Sequence, residues 1–176
     1  EYRQRMLYRA TRCKHESQGC TRCLSGCPYG AVSLAGDGKT VVTDWKRCQS
    51  CSTLDCTKAC LNEARVVCGK WYTVPDIMRI LRRDRQYWAG NGGVTFSGGD
   101  PLSQREFLLA ALEHCREAYI HTTVETSACF PTQSFLDVFN YVDFAFIDIK
   151  HMDSAKHQEK TGVPNEQILY NIAALA

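Results

Sequence analysis

Apolar positions along this chain follow a helical or strand period only downstream of about residue 73. There Thr73 is placed to cap a helix with Pro75 and Asp76 in its first turn, and Ile77, Ile80, Leu81, Tyr87 and Trp88 fall near one helical face. Gly90 to Gly93 break that helix, and Val94–Ser97 reads as a short strand ending on Gly98-Gly99. Ser103 and Glu106 have the spacing of a capping box, ahead of an apolar stripe made by Leu108, Ala111, Leu112 and Cys115. His121–Ser127 is a strand, Thr132–Phe139 a helix, and Phe144–Lys150 a strand whose continuous apolar start suits burial on both faces. Asn165–Ala176 returns to a helical period, with Ile168, Leu169, Ile172 and Leu175 on one side. Strand starts at 94, 121 and 144 fit successive βαβ units of a parallel sheet. Three strands do not close a barrel, so the expected class is α/β, an arc of a partial (β/α) barrel.

Upstream the texture differs. Residues 13–70 are expected to form a separate loop-rich unit, with 1–12 as a linker left from the barrel and 71–176 as the partial barrel itself. The segment 13–68 is dense in Cys, Gly and polar residues and too poor in long apolar stretches to fold without metal crosslinks. Cys13–Val32 and Cys48–Val67 read as a repeat, each a four-cysteine run followed by a short apolar stretch.

Composition narrows the setting. At 44% hydrophobic residues in 176, general disorder is excluded. No run of about eighteen apolar residues exists, so no membrane partner is expected. Glu1 to Arg12 is charged and has no apolar signal core, so a reducing, cytoplasmic setting is expected. The absence of an initiator Met reads as a fragment. Net charge is +2, yet residues 1–92 hold 16 Lys/Arg against 8 Asp/Glu, and residues 93–176 hold 5 against 11. No nucleic-acid motif accompanies the basic half, so it reads as a docking face for an acidic protein or as a solvated charged face.

Eleven cysteines change the picture most, because eight lie between Cys13 and Cys60. The first run is Cys13-x6-Cys20-x2-Cys23-x3-Cys27-Pro28, and the second is Cys48-x2-Cys51-x4-Cys56-x3-Cys60. In a reducing compartment clustered thiols bind metal. In ferredoxin-like spacing a close pair grips one iron–sulfur cube, while the last cysteine leaves the loop and serves the neighbouring cube. On that logic Cys13, Cys20, Cys23 and Cys60 hold one 4Fe–4S cluster, and Cys27, Cys48, Cys51 and Cys56 hold the other. Zinc is the competing ligand, but a zinc ribbon wants two separated Cys-x2-Cys pairs rather than two four-cysteine runs. The long gap after Cys13 and Leu61 in place of a proline depart from the ferredoxin pattern. Cys68, Cys115 and Cys129 read as ordinary semi-buried thiols.

Gly92-Gly93-Val94-Thr95-Phe96-Ser97-Gly98-Gly99-Asp100-Pro101 is a strand, a two-glycine turn, and Asp-Pro opening a helix. Glycines at a strand's C-terminal end let backbone groups approach a ligand; the alternative is simply a tight turn. Glu125 falls near the end of the next strand, and Asp148 and Lys150 near the end of the third. Charges on an inward face need a ligand or each other, so a mutual salt bridge at the rim is the competing reading.

The segment 92–104 (GGVTFSGGDPLSQ) closely resembles the signature of glycyl-radical-enzyme activating enzymes, radical S-adenosylmethionine (SAM) enzymes whose turn normally reads Gly-Gly-Glu-Pro. The segments 124–127, 147–152 and 161–165 are similar to the same family. The resemblance implies a radical SAM-type α/β barrel carrying an inserted bacterial-ferredoxin-like two-cluster domain. It implies that Gly98, Gly99 and Asp100 receive the methionyl amino group of SAM. It also implies that Glu125, Asp148 and Lys150 contact the methionyl moiety or a nearby monovalent cation. Reductive cleavage of SAM then gives a 5′-deoxyadenosyl radical, which takes hydrogen from a glycine of a partner glycyl radical enzyme, with flavodoxin or ferredoxin as electron donor. The Cys-x3-Cys-x2-Cys that holds the family's catalytic 4Fe–4S cluster does not occur within the chain and is expected upstream of Glu1, so no catalytic residue is assigned and the piece alone is expected to be inactive. Asp100 in place of Glu shortens that side chain by one methylene. An arc of barrel also leaves a sheet edge open, so the isolated chain is expected to aggregate or dimerise. Two rival readings stay open: a two-cluster ferredoxin-type electron-transfer module, and a radical SAM enzyme acting on a small molecule.

Overall fold

The computed structural model describes residues 4–90 and 92–175. Glu1–Arg3 of the expected linker, Asn91 of the expected break and Ala176 of the expected last helix lie outside them. The described residues divide between Trp71 and Tyr72 into two compact units.

The cysteine-rich unit is built from two antiparallel strand pairs and four helices of one turn. Strand β1 (Arg5–Tyr8) pairs with β4 (Arg65–Cys68), and β2 (Val32–Leu34) pairs with β3 (Val41–Thr43). Each half runs strand, cysteine run, strand, and each half's first strand pairs with the other half's last. Residues 5–8, expected as linker, are therefore a strand. Met6 points into the unit's core at 6% exposure, whereas Arg5 and Leu7 do not, a two-residue alternation too short to stand out in sequence. Helices α1 (His15–Gln18), α2 (Arg22–Ser25), α3 (Trp45–Cys48) and α4 (Asp55–Ala59) carry the cysteine runs. Helices α2 and α4 cross where Gly26 faces Ala59, and a β-carbon on Gly26 would stand 2.7 Å from that of Ala59. Met6, Val32 and Val41 pack with Cys23 and Cys56 to form the small core.

In the second unit, β5 (Gly93–Phe96), β6 (His121–Thr126) and β7 (Phe144–Ile147) form a parallel sheet in that order. Val94 pairs with Thr122, and Val124 with Ala145. Helix α5 (Val74–Asp84) starts with a full capping box: the Asp76 N–H donates to Thr73 Oγ1 at 3.3 Å, and the Thr73 N–H donates to the Asp76 carboxylate at 3.1 Å. It buries Met78 and Leu81, while Tyr87, expected on that face, is 78% exposed. The helix ends at Asp84, and the 3-10 turn Arg85–Tyr87 rotates the tyrosine away.

The Ser103–Glu106 capping box does not form. Asp100 caps a 3-10 turn, Pro101–Gln104, and the Ser103 hydroxyl donates to the Asp100 carbonyl, so helix α6 (Arg105–Glu117) begins one residue later than that box would place it. Leu102, Leu108, Leu112, Val124, Phe135, Val138 and Ile168 make the main core with α7 (Thr132–Phe139) and α9 (Glu166–Ala173); α8 (Ser154–Thr161) lies between β7 and α9 in the chain. β7 is not buried on both faces. It has one strand neighbour among the described residues, and Phe144 and Phe146 are 53% and 57% exposed, stacked edge to face. Cys115 is fully buried, but Cys68 is exposed rather than semi-buried. Among the described residues no helix is long and apolar enough to cross a membrane.

Candidate functional site at the strand ends and the thiol groups

Alternation along the three parallel strands sends one set of side chains to the helices and leaves Thr95, Ser97, Glu125, Phe144 and Phe146 exposed on the other face. Pairing is tight at the base of β5, where a β-carbon on Gly93 would lie 2.1 Å from the His121 carbonyl oxygen, so only glycine fits. At the other end the chain leaves β5 through Gly98 and Gly99, with φ of 88° and 86°. Glycine adopts this left-handed backbone at little cost, and both residues are exposed.

The Asp100 carboxylate is held by its neighbours instead. It accepts from the Thr126 hydroxyl at 2.9 Å on both oxygens, from the Ser127 N–H at 2.8 Å and hydroxyl at 2.9 Å, and from the Leu102 N–H at 3.2 Å. Its acceptor sites are thus taken up in tying the glycine turn to the end of β6. On the exposed face Ser97 donates to the Glu125 carboxylate at 2.6 Å. Beyond β7 the Asp148 N–H donates to the Thr126 carbonyl at 3.0 Å, and Lys150 meets the Asp148 carboxylate at 2.6 Å with both side chains about half exposed. The rim salt bridge weighed against a ligand role therefore forms. Asn165 fixes the loop after Lys150 by donating to the carbonyls of His151 and Met152 at 2.9 and 2.8 Å.

In the other unit Cys13, Cys20, Cys23 and Cys60 line one cavity together with Tyr8 and Arg65. Burial pushes the Cys56 thiol up, and Cys27, Cys48 and Cys51 lie near enough for their charges to add to that rise. Burial likewise raises Cys23, with Arg65 opposing, and Cys48, with Cys51 and Cys27 adding. Backbone N–H groups aim at sulfur: Leu54 donates to Cys51 and Arg65 to Cys60, each at 3.4 Å. Leu54 adopts φ of 52° to do so. Among the described residues no three Cys, His, Asp or Glu side chains converge as ligands of a single ion.

A sequence profile of the radical SAM superfamily matches residues 20–176. The chain belongs to the radical SAM superfamily. It is 48% identical over 174 residues to the 4-hydroxyphenylacetate decarboxylase activating enzyme of Clostridioides difficile strain 630, covering 99% of this chain and 54% of that protein. To the isethionate sulfite-lyase activating enzyme of Desulfovibrio desulfuricans it is 37% identical over 158 residues, covering 89% and 50%. Among solved structures, a domain of pyruvate-formate lyase-activating enzyme from Bacteroides vulgatus is 41% identical over 48% of this chain and 53% of that one, with a TM-score of 0.44. The chain thus spans about half the length of the curated relatives it matches.

For this radical SAM chain, the structure brings Gly98, Gly99, Asp100, Glu125, Asp148 and Lys150 to one end of the sheet, places Cys13, Cys20, Cys23 and Cys60 around one cavity, and packs Cys27 and Cys48 against the core that holds Cys56. Sequence reasoning passed over Ser97, Thr126, Ser127 and Arg65. The first three stand in the segments 92–104 and 124–127, where their spacing relative to Asp100 and Glu125 was an available signal. Arg65 had none, since arginine is by default a surface residue.

Proposed function

We propose that the chain is the SAM-binding and electron-relaying part of a glycyl-radical-enzyme activase, with Cys13, Cys20, Cys23 and Cys60 holding one 4Fe–4S cluster and Cys27, Cys48, Cys51 and Cys56 the other in a ferredoxin-like insert. The observation that carries this reading is the pairing of opposite halves, β1 with β4 and β2 with β3. Because β4 follows Cys60 and lies beside β1, which leads into the first run, Cys60 is delivered to the first group. By the same logic β2 beside β3 delivers Cys27 to the second. The cavity lined by Cys13, Cys20, Cys23 and Cys60 and the N–H groups aimed at sulfur fit a thiolate-ligated cube.

At the rim, the exposed Gly98–Gly99 turn offers backbone carbonyl acceptors to the methionyl ammonium of SAM. Asp100 has its carboxylate engaged with β6, so its part is to hold that turn in place. Lys150 offers a cation to the methionyl carboxylate, and Glu125 with Asp148 offers oxygen ligands to a monovalent cation. SAM bound with a reduced 4Fe–4S cluster would take one electron and break its C5′–S bond, methionine leaving, and so would supply the 5′-deoxyadenosyl radical that takes hydrogen from a backbone glycine of the partner. The relatives' names, activating enzymes of a decarboxylase and a sulfite-lyase, support a glycyl radical enzyme as that partner. Arg82 and the neighbouring Arg83 and Arg85 are exposed and suit an acidic flavodoxin or ferredoxin donor. Replacing the three with Glu in the full-length enzyme slows reduction by flavodoxin at low salt, and unchanged rates remove that face from the proposal.

The test is made on the full-length enzyme, reconstituted anaerobically, with SAM and reductant. The proposal expects 5′-deoxyadenosine, and a glycyl radical detected by electron paramagnetic resonance once a partner enzyme is added. No cleavage of SAM points to an electron-transfer module instead, and turnover of a small molecule without a partner points to a different radical SAM reaction.

A further inference from the structure

Arg65 opens β4 and is 1% exposed, the largest fully buried side chain among the described residues. A guanidinium stays charged at any ordinary pH and carries five N–H donors. Here Nη2 donates to Thr43 Oγ1 at 3.0 Å and Nη1 to the Met6 sulfur at 3.6 Å, while Nε has no partner. The Tyr8 ring lies 4.7 Å from the guanidinium carbon. Among the described residues no carboxylate pairs with it. A hydroxyl, a thioether and a ring face do not compensate a buried charge, which is costly unless an anion stands near.

The candidates for that anion are the thiolates. Arg65 lines the same cavity as Cys13, Cys20, Cys23 and Cys60, and Met6, to which it donates, sits in one core cluster with Cys23 and Cys56, against which Cys27 and Cys48 pack. The duplicated unit uses this cation once: the first half carries Val32 at the start of β2, where the second carries Arg65 at the start of β4. Four thiolates outweigh the positive charge of a cube, so each cluster is a net anion and becomes more negative on taking up an electron. A fixed cation beside it favours the reduced form, and more strongly for the nearer cluster.

We propose that Arg65 is the buried counter-charge shared by both clusters and a positioning residue for their electrons, holding both reduction potentials up and that of the Cys13/Cys20/Cys23/Cys60 cluster most. This inference rests on the two-cluster reading above. It assigns to the asymmetry of the repeat a function: the insert accepts electrons more readily on one side than a neutral valine in both halves would allow.

The experiment uses the 176-residue chain, reconstituted anaerobically, as wild type, Arg65→Lys and Arg65→Met, with iron and sulfide content and a redox titration followed by electron paramagnetic resonance. Arg65→Met keeps bulk and removes charge; Arg65→Lys keeps charge. The expected result is full iron in all three, both potentials lower in Arg65→Met, and recovery in Arg65→Lys. For the nearer cluster the ratio of reduced to oxidised form at a fixed potential falls about tenfold, equivalent to ~59 mV for one electron. Failure of Arg65→Met alone to load, with Arg65→Lys loaded, also supports a counter-charge. Fully loaded Arg65→Met with unmoved potentials overturns the inference, as does equal loss of loading in both variants, which marks a packing role. A wild type that takes up no iron and sulfide instead removes the two-cluster reading itself.

Discussion

The Asp100 carboxylate accepts the Thr126 hydroxyl at 2.9 Å on both of its oxygens, joining the turn after β5 to the last residue of β6. That relationship makes Asp100 a strut beneath the proposed ligand rather than a wall facing it. Replacement by Ala leaves Thr126 and the Ser127 N–H without their acceptor. Asp100→Ala is expected to cost about 3 kcal/mol in denaturant unfolding, and Asp100→Asn about half of that. Equal stability of the three proteins would contradict the strut.

Gly93 and Gly98 make a contrasting pair within one segment. A methyl at Gly93 would strike the His121 carbonyl at 2.1 Å and force β5 off β6, whereas Gly98 opens on free space and is constrained only by its φ of 88°. Gly93→Ala is expected to destabilise by more than about 4 kcal/mol, and Gly98→Ala by about 1–2 kcal/mol. Thermal unfolding of the two variants checks the order, and a reversed order would show that the register of β5 with β6 is not set by this contact.

Crossing of the cysteine runs is tested by paired deletions. In the proposed arrangement Cys27 and Cys48, from different runs, serve one cluster, so Cys27→Ala with Cys48→Ala is expected to remove one cluster and leave about four irons per chain. Cys23→Ala with Cys27→Ala, both from the first run, strikes both clusters and lowers iron further. The opposite ranking would place each run on its own cluster.

Much of this was legible in the chain, and the misses share a cause. β5, β6 and β7 stand out as Val, Thr and Phe runs bounded by glycine. β1 was missed because its partner, β4, lies about sixty residues away and only one of its four side chains is buried. Tyr87 was misplaced because a helical period says nothing of where the helix ends. The part played by Asp100 depends on two positive φ angles that aim its side chain back toward β6, and the burial of Arg65 on a charge balance that no local pattern records. Long-range hydrogen bonding and electrostatics are what a one-dimensional reading leaves out.

Acid should weaken the second unit in a defined direction. Hydrogen bonds from the Thr73 side chain and backbone, with Arg79 adding, hold Asp76 below its ordinary value of 3.8, and the Gln133 and Arg105 side chains do the same for Asp137. A carboxylate with a depressed folded value contributes stability that is present above the unfolded value and is lost as pH falls through the folded one. Unfolding midpoints are expected to hold from pH 6 to about 4 and to drop below that, and Asp76→Asn is expected to drop less below about pH 4. An identical acid profile in that variant would exclude the cap as a source.

The most direct measurement of the central claim is iron, acid-labile sulfide and zinc per chain after anaerobic reconstitution, read together with the Mössbauer spectrum. Two crossed thiolate groups predict about eight irons, about eight sulfides and a spectrum of cubane clusters. A colourless protein that takes up zinc and no sulfide would contradict it.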